Sequence, residues 1–349
     1  MKIKVLELFG GIGACSKALE RVGIDYEIVD YVEIDKYAVK SFNAIHNTNF
    51  EPQDITTWDK DIKVDLIMHG SPCQDFSLAG KQAGGDKDSG TRSSLMYETI
   101  RIVEKLKPKY VIWENVKNLL SKKHKHNFDA YLETMEKLGY TNYYQVLNAK
   151  DYGIPQNRER VFTISIRNDL NKTFVFPPKQ ELKLKLKDML EYEVDEKYII
   201  SDKLMIYYDR KIKQGWRKEL HLDNKEISST ICNPARNNIN DTFVKVIGGV
   251  GEKKSNGGTQ WYQQDRIYDN NIGLSLSTTA QPYYPDNQLR IRKLTPKECW
   301  RLMGFDDEDF EKASQVNSNS QLYKQAGNSI VVNVLENILK NLINFDKGE

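Results

Sequence analysis

Ile3-Lys4-Val5-Leu6-Glu7-Leu8-Phe9-Gly10-Gly11-Ile12-Gly13 reads as a short apolar strand that breaks into a glycine turn. A helical pattern runs on through Ala14 to Val22 and stops at Gly23, a residue suited to a helix C-terminus. Strand, glycine turn and helix make the opening of a βαβ unit, and the same rhythm repeats downstream. Tyr26 to Val32 is a second strand ending at Glu33, and Asp35 is placed to cap a helix over Lys36 to Asn43. Val64 to Met68 is a third strand. Met96, Ile100 and Val103 recur at helical spacing until Pro108 ends the run, and Tyr110 to Trp113 is a fourth strand ending at Glu114. A helix over Phe128 to Leu138 closes at Gly139, and Tyr143 to Leu147 and Val161 to Ile166 are a late pair of strands. This alternation predicts an α/β domain on a largely parallel sheet.

The rhythm stops after Pro177-Pro178. From Lys179 to about Arg290 the chain is rich in Asn, Gly, Tyr and Lys, with turn signals at Asn233-Pro234, Gly248-Gly249 and Gly257-Gly258. A smaller, mostly β and irregular domain is expected there. Leu294-Thr295-Pro296 opens a helix through Glu298, Arg301 and Met303, stopped by Gly304, and Asn328 to Leu342 is apolar at helical spacing. The expected organisation is a large domain over 1–178 and 321–349, a small domain over 179–293, and a hinge over 294–320.

The 349 residues carry 51 Lys plus Arg against 49 Asp plus Glu, a net charge of +2, so the distribution of charge matters more than its sum. The four cysteines (Cys15, Cys73, Cys232, Cys299) are scattered without metal-ligand spacing, as in a reducing compartment. No signal peptide or membrane-spanning run is evident, and a cytoplasmic enzyme without a metal is expected.

Four strand edges carry polar groups. Gly70-Ser71-Pro72-Cys73-Gln74-Asp75-Phe76-Ser77 follows the third strand, where open α/β folds place their chemistry. A lone Cys there is ordinarily a small buried hydrophobe; its neighbours argue for more. Glu114-Asn115-Val116 ends the fourth strand, and a carboxylate in so apolar a place is costly unless paired or functional. Arg158 and Arg160, in Gln156-Asn157-Arg158-Glu159-Arg160, alternate along a strand: either surface arginines, or forks for a carboxylate, a phosphate or a base edge. The glycine turn suits a nucleotide-type ligand, yet Ser16 stands where the dinucleotide fingerprint needs its third Gly, which argues against a nicotinamide dehydrogenase. Glu33 is placed for ribose hydroxyls, Asp54 for an exocyclic amine and Ile55 for a ring. Leu78 to Arg92 lacks periodicity and reads as a long exposed loop.

These stretches, in this order and with Gln325-Ala326-Gly327-Asn328-Ser329 and Arg292 to Phe305, resemble the successive motifs of DNA (cytosine-5) methyltransferases of the bacterial and phage restriction–modification type. The likeness spans Leu6 to about Leu335 except the middle segment. Glu7 replaces a more usual Asp, and Ile34 a more usual Trp. The resemblance implies a Rossmann-like methyltransferase domain using S-adenosylmethionine, a small target-recognition domain, and double-stranded DNA held between them. It implies cofactor contacts from Phe9, Gly10, Gly11, Gly13, Glu33, Ile34, Asp54, Ile55 and Leu95, with Asn328 and Ser329 closing from the C-terminal helix. It assigns Cys73 to attack on carbon 6 of a flipped cytosine, Glu114 to donate a proton to ring nitrogen 3, and Arg160 to the base carbonyl. Arg158 would orient Glu114 or Cys73, and Asn115 would position Glu114 or the loop bearing Cys73. Leu78 to Arg92 would be a mobile lid. Arg210, Lys211, Lys213, Arg217, Lys218 and Arg236, with Trp216 and Tyr262, would face DNA, while Lys183, Lys185 and Lys187 read as a solvated face. A monomer suffices, with any cognate endonuclease acting separately. Two alternatives stay open: a tRNA cytosine-5 methyltransferase and a non-catalytic DNA-binding relative.

Overall fold

The computed structural model describes residues 2–72, 92–215, 221–222, 226–231, 242–249, 266–268 and 290–343. Cys73, the expected loop from Leu78 to Arg92 except for Arg92 itself, which begins a short helical turn, and Trp216, Arg217, Lys218, Arg236 and Tyr262 therefore lie outside the described residues.

The first half builds a six-stranded sheet from β1 (Ile3–Leu8), β2 (Tyr26–Val32), β3 (Leu66–His69), β4 (Tyr110–Val116), β5 (Tyr140–Asn148) and β6 (Glu159–Arg167). Their order is β2-β1-β3-β4-β6-β5. β1 pairs in parallel with β2 and β3, and β3 with β4. β6 runs antiparallel to both β4 and β5. The chain steps to one side of β1 for β2 and returns to the other side for β3, which opens a crevice at the carboxyl edge where such folds bind ligands. Because β6 runs backwards, it begins at that same edge, so Arg160 lies opposite Val116.

Between the strands lie α1 (Ala14–Val22), α2 (Lys36–His46), α3 (Met96–Leu106) and α4 (Lys125–Lys137). Alternate strand residues face opposite ways, so each face buries its own set. Val5, Leu66, Met68 and Ile112 pack in one cluster with α1; Leu6, Leu8, Ile67, Val111 and Trp113 pack in the other with α3 and α4. Burial on both faces is why these strands read as continuous apolar runs.

The turn after β1 depends on glycine twice. Gly13 caps α1 with φ +82°, and a Cβ there would fall 2.2 Å from the His46 ring. A Cβ on Gly10 would fall 2.6 Å from the Tyr31 ring. Either substitution would force packed rings to move.

Among its described residues the middle segment holds an α-helix that sequence periodicity did not suggest, α5 (Asp202–Lys213), and strands β7 (His221–Leu222), β8 (Thr242–Gly249), β9 (Arg266–Tyr268) and β10 (Arg290–Lys293), which form a second sheet. Then follow α6 (Pro296–Arg301), α7 (Asp307–Ser314), α8 (Asn319–Asn328) and α9 (Val332–Ile343). The expected helix over Asn328 to Leu342 thus starts at Val332, and Asn328 instead ends the preceding helix, with Ser329 as its extended cap. α9 packs on α1 and returns the chain to the first sheet. Its Leu335, Ile338, Leu339 and Leu342 are buried, each contributing about 1.5–3 kcal/mol.

β10 is tied to α6 by a buried ion pair: the Arg292 guanidinium donates to both Glu298 oxygens at 2.8 and 2.9 Å. Glu298 also accepts from the Thr295 N–H at 2.8 Å, completing a capping box that starts α6. Among the described residues, no helix is long and apolar enough to cross a membrane.

Candidate active site

A cavity of about 470 Å³ opens at the carboxyl edge of the sheet, within the usual size of small-ligand sites. The ends of β1, β2, β3 and β4 line it, together with the start of β6 and the α8 terminus. Phe9, Gly11, Glu33, Ile34, Asp54, Ile55, Leu95, Asn328 and Ser329 all line it, as do Glu114, Arg158 and Arg160. Gly10 lines a smaller adjoining cavity, and Gly13 lines neither; both shape the turn. Cys73 is peptide-bonded to Pro72, which lines the cavity.

The end of β2 supplies a held carboxylate. Glu33 accepts from the Gly11 N–H at 3.2 Å through one oxygen and from the Asp35 N–H at 2.9 Å through the other. Burial raises its pKa, and these backbone bonds lower it in part. Each oxygen keeps a second lone pair for a hydroxyl donor. A Cβ on Gly11 would meet nothing within 4 Å, so the backbone here is open to a ligand. Asp54 is exposed, and its side chain accepts from the Thr56 N–H and hydroxyl, both at 2.9 Å. Ile55 is buried beside it, while Ile34 is exposed.

The end of β4 supplies a second carboxyl. Glu114 is buried, and burial raises its pKa against the opposing pull of the Arg160 and Arg158 guanidinium groups. Its Oε1 lies 3.1 Å from Arg160 Nε. The two arginines therefore divide their work. Arg160 faces Glu114, whereas Arg158 donates to three backbone carbonyls: Ile231 at 2.9 Å, Gly327 at 3.1 Å and Ser329 at 2.8 Å. Arg158 ties the middle segment to the α8 terminus beside the cavity.

Asn115 and Trp113, on the same strand, hold the chain just before Cys73. The Asn115 amide donates to the Ser71 carbonyl at 3.4 Å, and the Trp113 indole donates to the Ser71 hydroxyl at 3.0 Å. Of the two roles open to Asn115, its contact lies with the β3 turn.

Three contributors escaped sequence reasoning. Ser71 carried no signal beyond its place in the turn. Lys324 lines the cavity and pairs with Asp35 at 2.5 Å, a contact spanning most of the chain. Glu7, read as a small departure from a family pattern, is buried beneath the glycine turn. It accepts from the Ser16 N–H at 3.0 Å and from the Ser16 hydroxyl. Burial pushes its pKa up to about 7 although the Ser16 bonds lower it. Ser16, the residue that breaks the dinucleotide fingerprint, is thus the partner of this carboxyl.

The sequence from residue 3 to 344 matches the model of the C-5 cytosine-specific DNA methylase family. The chain is 36% identical to the type II methyltransferase M2.ScrFI of Lactococcus lactis subsp. cremoris, over 97% of this chain and 99% of the relative. It is 34% identical to the orphan methyltransferase M.SPRI of Bacillus phage SPR, over 98% of both. It is 35% identical to the type II methyltransferase M.HhaI of Haemophilus parahaemolyticus, over 97% and 94%. Among solved structures, a DNMT2 mutant of Spodoptera frugiperda (TM-score 0.69, 22% identity, 98% and 100% covered) and the Entamoeba histolytica methyltransferase EhMeth (TM-score 0.70, 18%, 100% of both) share the fold.

Proposed function

The chain belongs to the C-5 cytosine-specific DNA methylase family and methylates carbon 5 of cytosine in DNA; from that premise we propose that Cys73, Glu114 and Arg160 carry the transfer, on a cytosine flipped out of duplex DNA. The supporting observation is Glu114: a buried carboxyl with a raised pKa, facing Arg160 at 3.1 Å, in a cavity that Pro72 also lines.

S-adenosylmethionine would sit in this cavity, and it supplies the methyl group when bound. Glu33 would take its ribose hydroxyls, Asp54 and Ile55 its adenine, and Phe9, Gly11, Ile34 and Leu95 the remaining wall. Asn328 and Ser329 would close over it, with Gly10 and Gly13 keeping the turn in shape.

Carbon 5 of cytosine is a poor nucleophile until the ring is activated. Cys73 as thiolate bonds to carbon 6, and its ordinary pKa of roughly 8.5 leaves only a small ionised fraction at neutral pH. Burial raises the Glu114 pKa against the pull of Arg160 and Arg158, which favours the protonated form, and that form delivers its proton to ring nitrogen 3 as the electrons shift toward carbon 5. Arg160, beside Glu114, would take the base carbonyl. After carbon 5 is methylated, its proton passes to a solvent base, the carbon 5–carbon 6 double bond re-forms, the Cys73 thiolate leaves, and the proton on ring nitrogen 3 returns to the Glu114 carboxylate. Asn115 holds Ser71 and so the turn that leads to Cys73. Arg158 acts as a positioning residue through its three carbonyl contacts.

Flipping the base costs a few kcal/mol. The middle segment reads the sequence around the target, and Arg210, Lys211 and Lys213 on α5 offer basic contacts. One copy of the chain in the cytoplasm supplies every group named, and a cognate endonuclease would act separately. The test is expression in a host without DNA methylation, followed by mapping of 5-methylcytosine across its genome. Modification at one recurrent short sequence is expected, abolished by Cys73→Ala. Methylation of tRNA without methylation of DNA, or activity that survives Cys73→Ala, would overturn the reading.

A further inference from the structure

Residues 117–126, Lys117-Asn118-Leu119-Leu120-Ser121-Lys122-Lys123-His124-Lys125-His126, hold four lysines and two histidines and no acid, in a chain whose net charge is only +2. The stretch leaves the carboxyl end of β4 directly after Glu114-Asn115-Val116 and leads into α4. Its backbone is built rather than loose: the N–H groups of His124 and Lys125 both donate to the Ser121 carbonyl, at 3.0 and 2.8 Å. Lys117 anchors it at the rim of the site by pairing with both oxygens of Glu159 at 3.1 and 3.0 Å, and Glu159 is the neighbour of Arg160. Lys125 is spent on Asp129 at 2.6 and 2.7 Å. Lys122 and Lys123 are exposed, and neither has a carboxylate partner among the described residues.

We propose that Lys122 and Lys123 grip the phosphate backbone of the DNA beside the flipped cytosine, as a second DNA-contacting surface carried by the catalytic domain itself. The occupant follows from charge and distance. Two exposed ammonium groups complement phosphates and carry no base readout. They lie five and six residues beyond Lys117, a span of at most about 20 Å. A duplex covers that distance in about six base pairs, so a duplex that delivers its base to Glu114 is long enough to extend as far as these two residues. The inference rests on the duplex-DNA reading above.

The test uses the full chain and a duplex of about 30 base pairs carrying the site mapped in the methylated genome. The dissociation constant is measured against salt for the unaltered protein and for Lys122→Gln/Lys123→Gln. Each phosphate contact contributes about 0.9 to the slope of log affinity against log salt, so the double variant should lose about 1.8 of that slope. Its affinity for S-adenosylmethionine should be retained, and Lys122→Glu/Lys123→Glu should weaken DNA binding further. An unchanged slope, with the unaltered protein methylating the duplex, overturns this inference alone. Failure of the unaltered protein to methylate any duplex overturns the reading beneath it as well.

Discussion

Replacing Glu7 by glutamine should change how stability depends on pH. Glu7 is buried under the glycine turn, and its carboxyl titrates near pH 7 when folded against an ordinary 4.5. The raised folded value means that the native state holds a proton the unfolded chain releases. That stabilising preference is complete below about pH 4.5 and is lost as pH rises through 7. With those two values, the loss between pH 5.5 and 8.5 amounts to about 2 kcal/mol. A glutamine side chain at this position has the same shape, keeps an acceptor for the Ser16 N–H and never ionises, so the variant should lack this decline. His46 and His69 titrate low because they are buried, which adds a rise in stability with pH, but both proteins share it. The difference between the two proteins therefore isolates Glu7. Urea denaturation at pH 5.5 and pH 8.5, read by tryptophan fluorescence, measures it. Relative to the unaltered protein, Glu7→Gln should gain about 2 kcal/mol on going from the lower to the higher pH. Parallel pH dependences would refute the assignment of a buried, proton-holding carboxyl beneath the turn.

Glu114→Gln should lower the single-turnover methylation rate by about 10²–10⁴ while S-adenosylmethionine binding persists. In the unaltered enzyme the Glu114 step should fall away as pH rises through the raised pKa of that carboxyl, because the proton is needed; a pH–rate profile of both proteins checks this. Glu33→Ala removes two backbone tethers and the ribose acceptor together, so S-adenosylmethionine affinity should drop about ten- to a hundredfold by calorimetry. Arg292→Met strands the buried Glu298 carboxylate and should cost about 3–5 kcal/mol in urea, with Arg292→Met/Glu298→Leu recovering much of that loss.

Much of the first sheet and its helices was legible because their signals are local. The strands buried on both faces appear as unbroken apolar runs, and Gly13, Gly23 and Gly139 mark the turns that need positive φ. Polar groups stand out where those runs end, which is how Glu33 and Glu114 were found. Helix α5 was not legible, because its segment carries turn-forming residues on both sides. The start of α9 was also hidden, since the apolar run begins at Ile330, ahead of the helix, and Ser329 ends α8 in extended backbone that no local pattern marks.

Which residues occur at the strand ends is a property of the sequence alone, since residue type and spacing set where strands stop and which side chains emerge. What each of those residues touches was decided only by the fold. Arg158 and Arg160 read as an equivalent pair two positions apart, yet one spans three distant carbonyls and the other faces Glu114. Ser16 read as a missing glycine, and the fold makes it the partner of a buried acid. Hydrogen bonds and pKa shifts depend on groups that are remote in the chain and close in space, and on water driven out between them, neither of which a local pattern can carry.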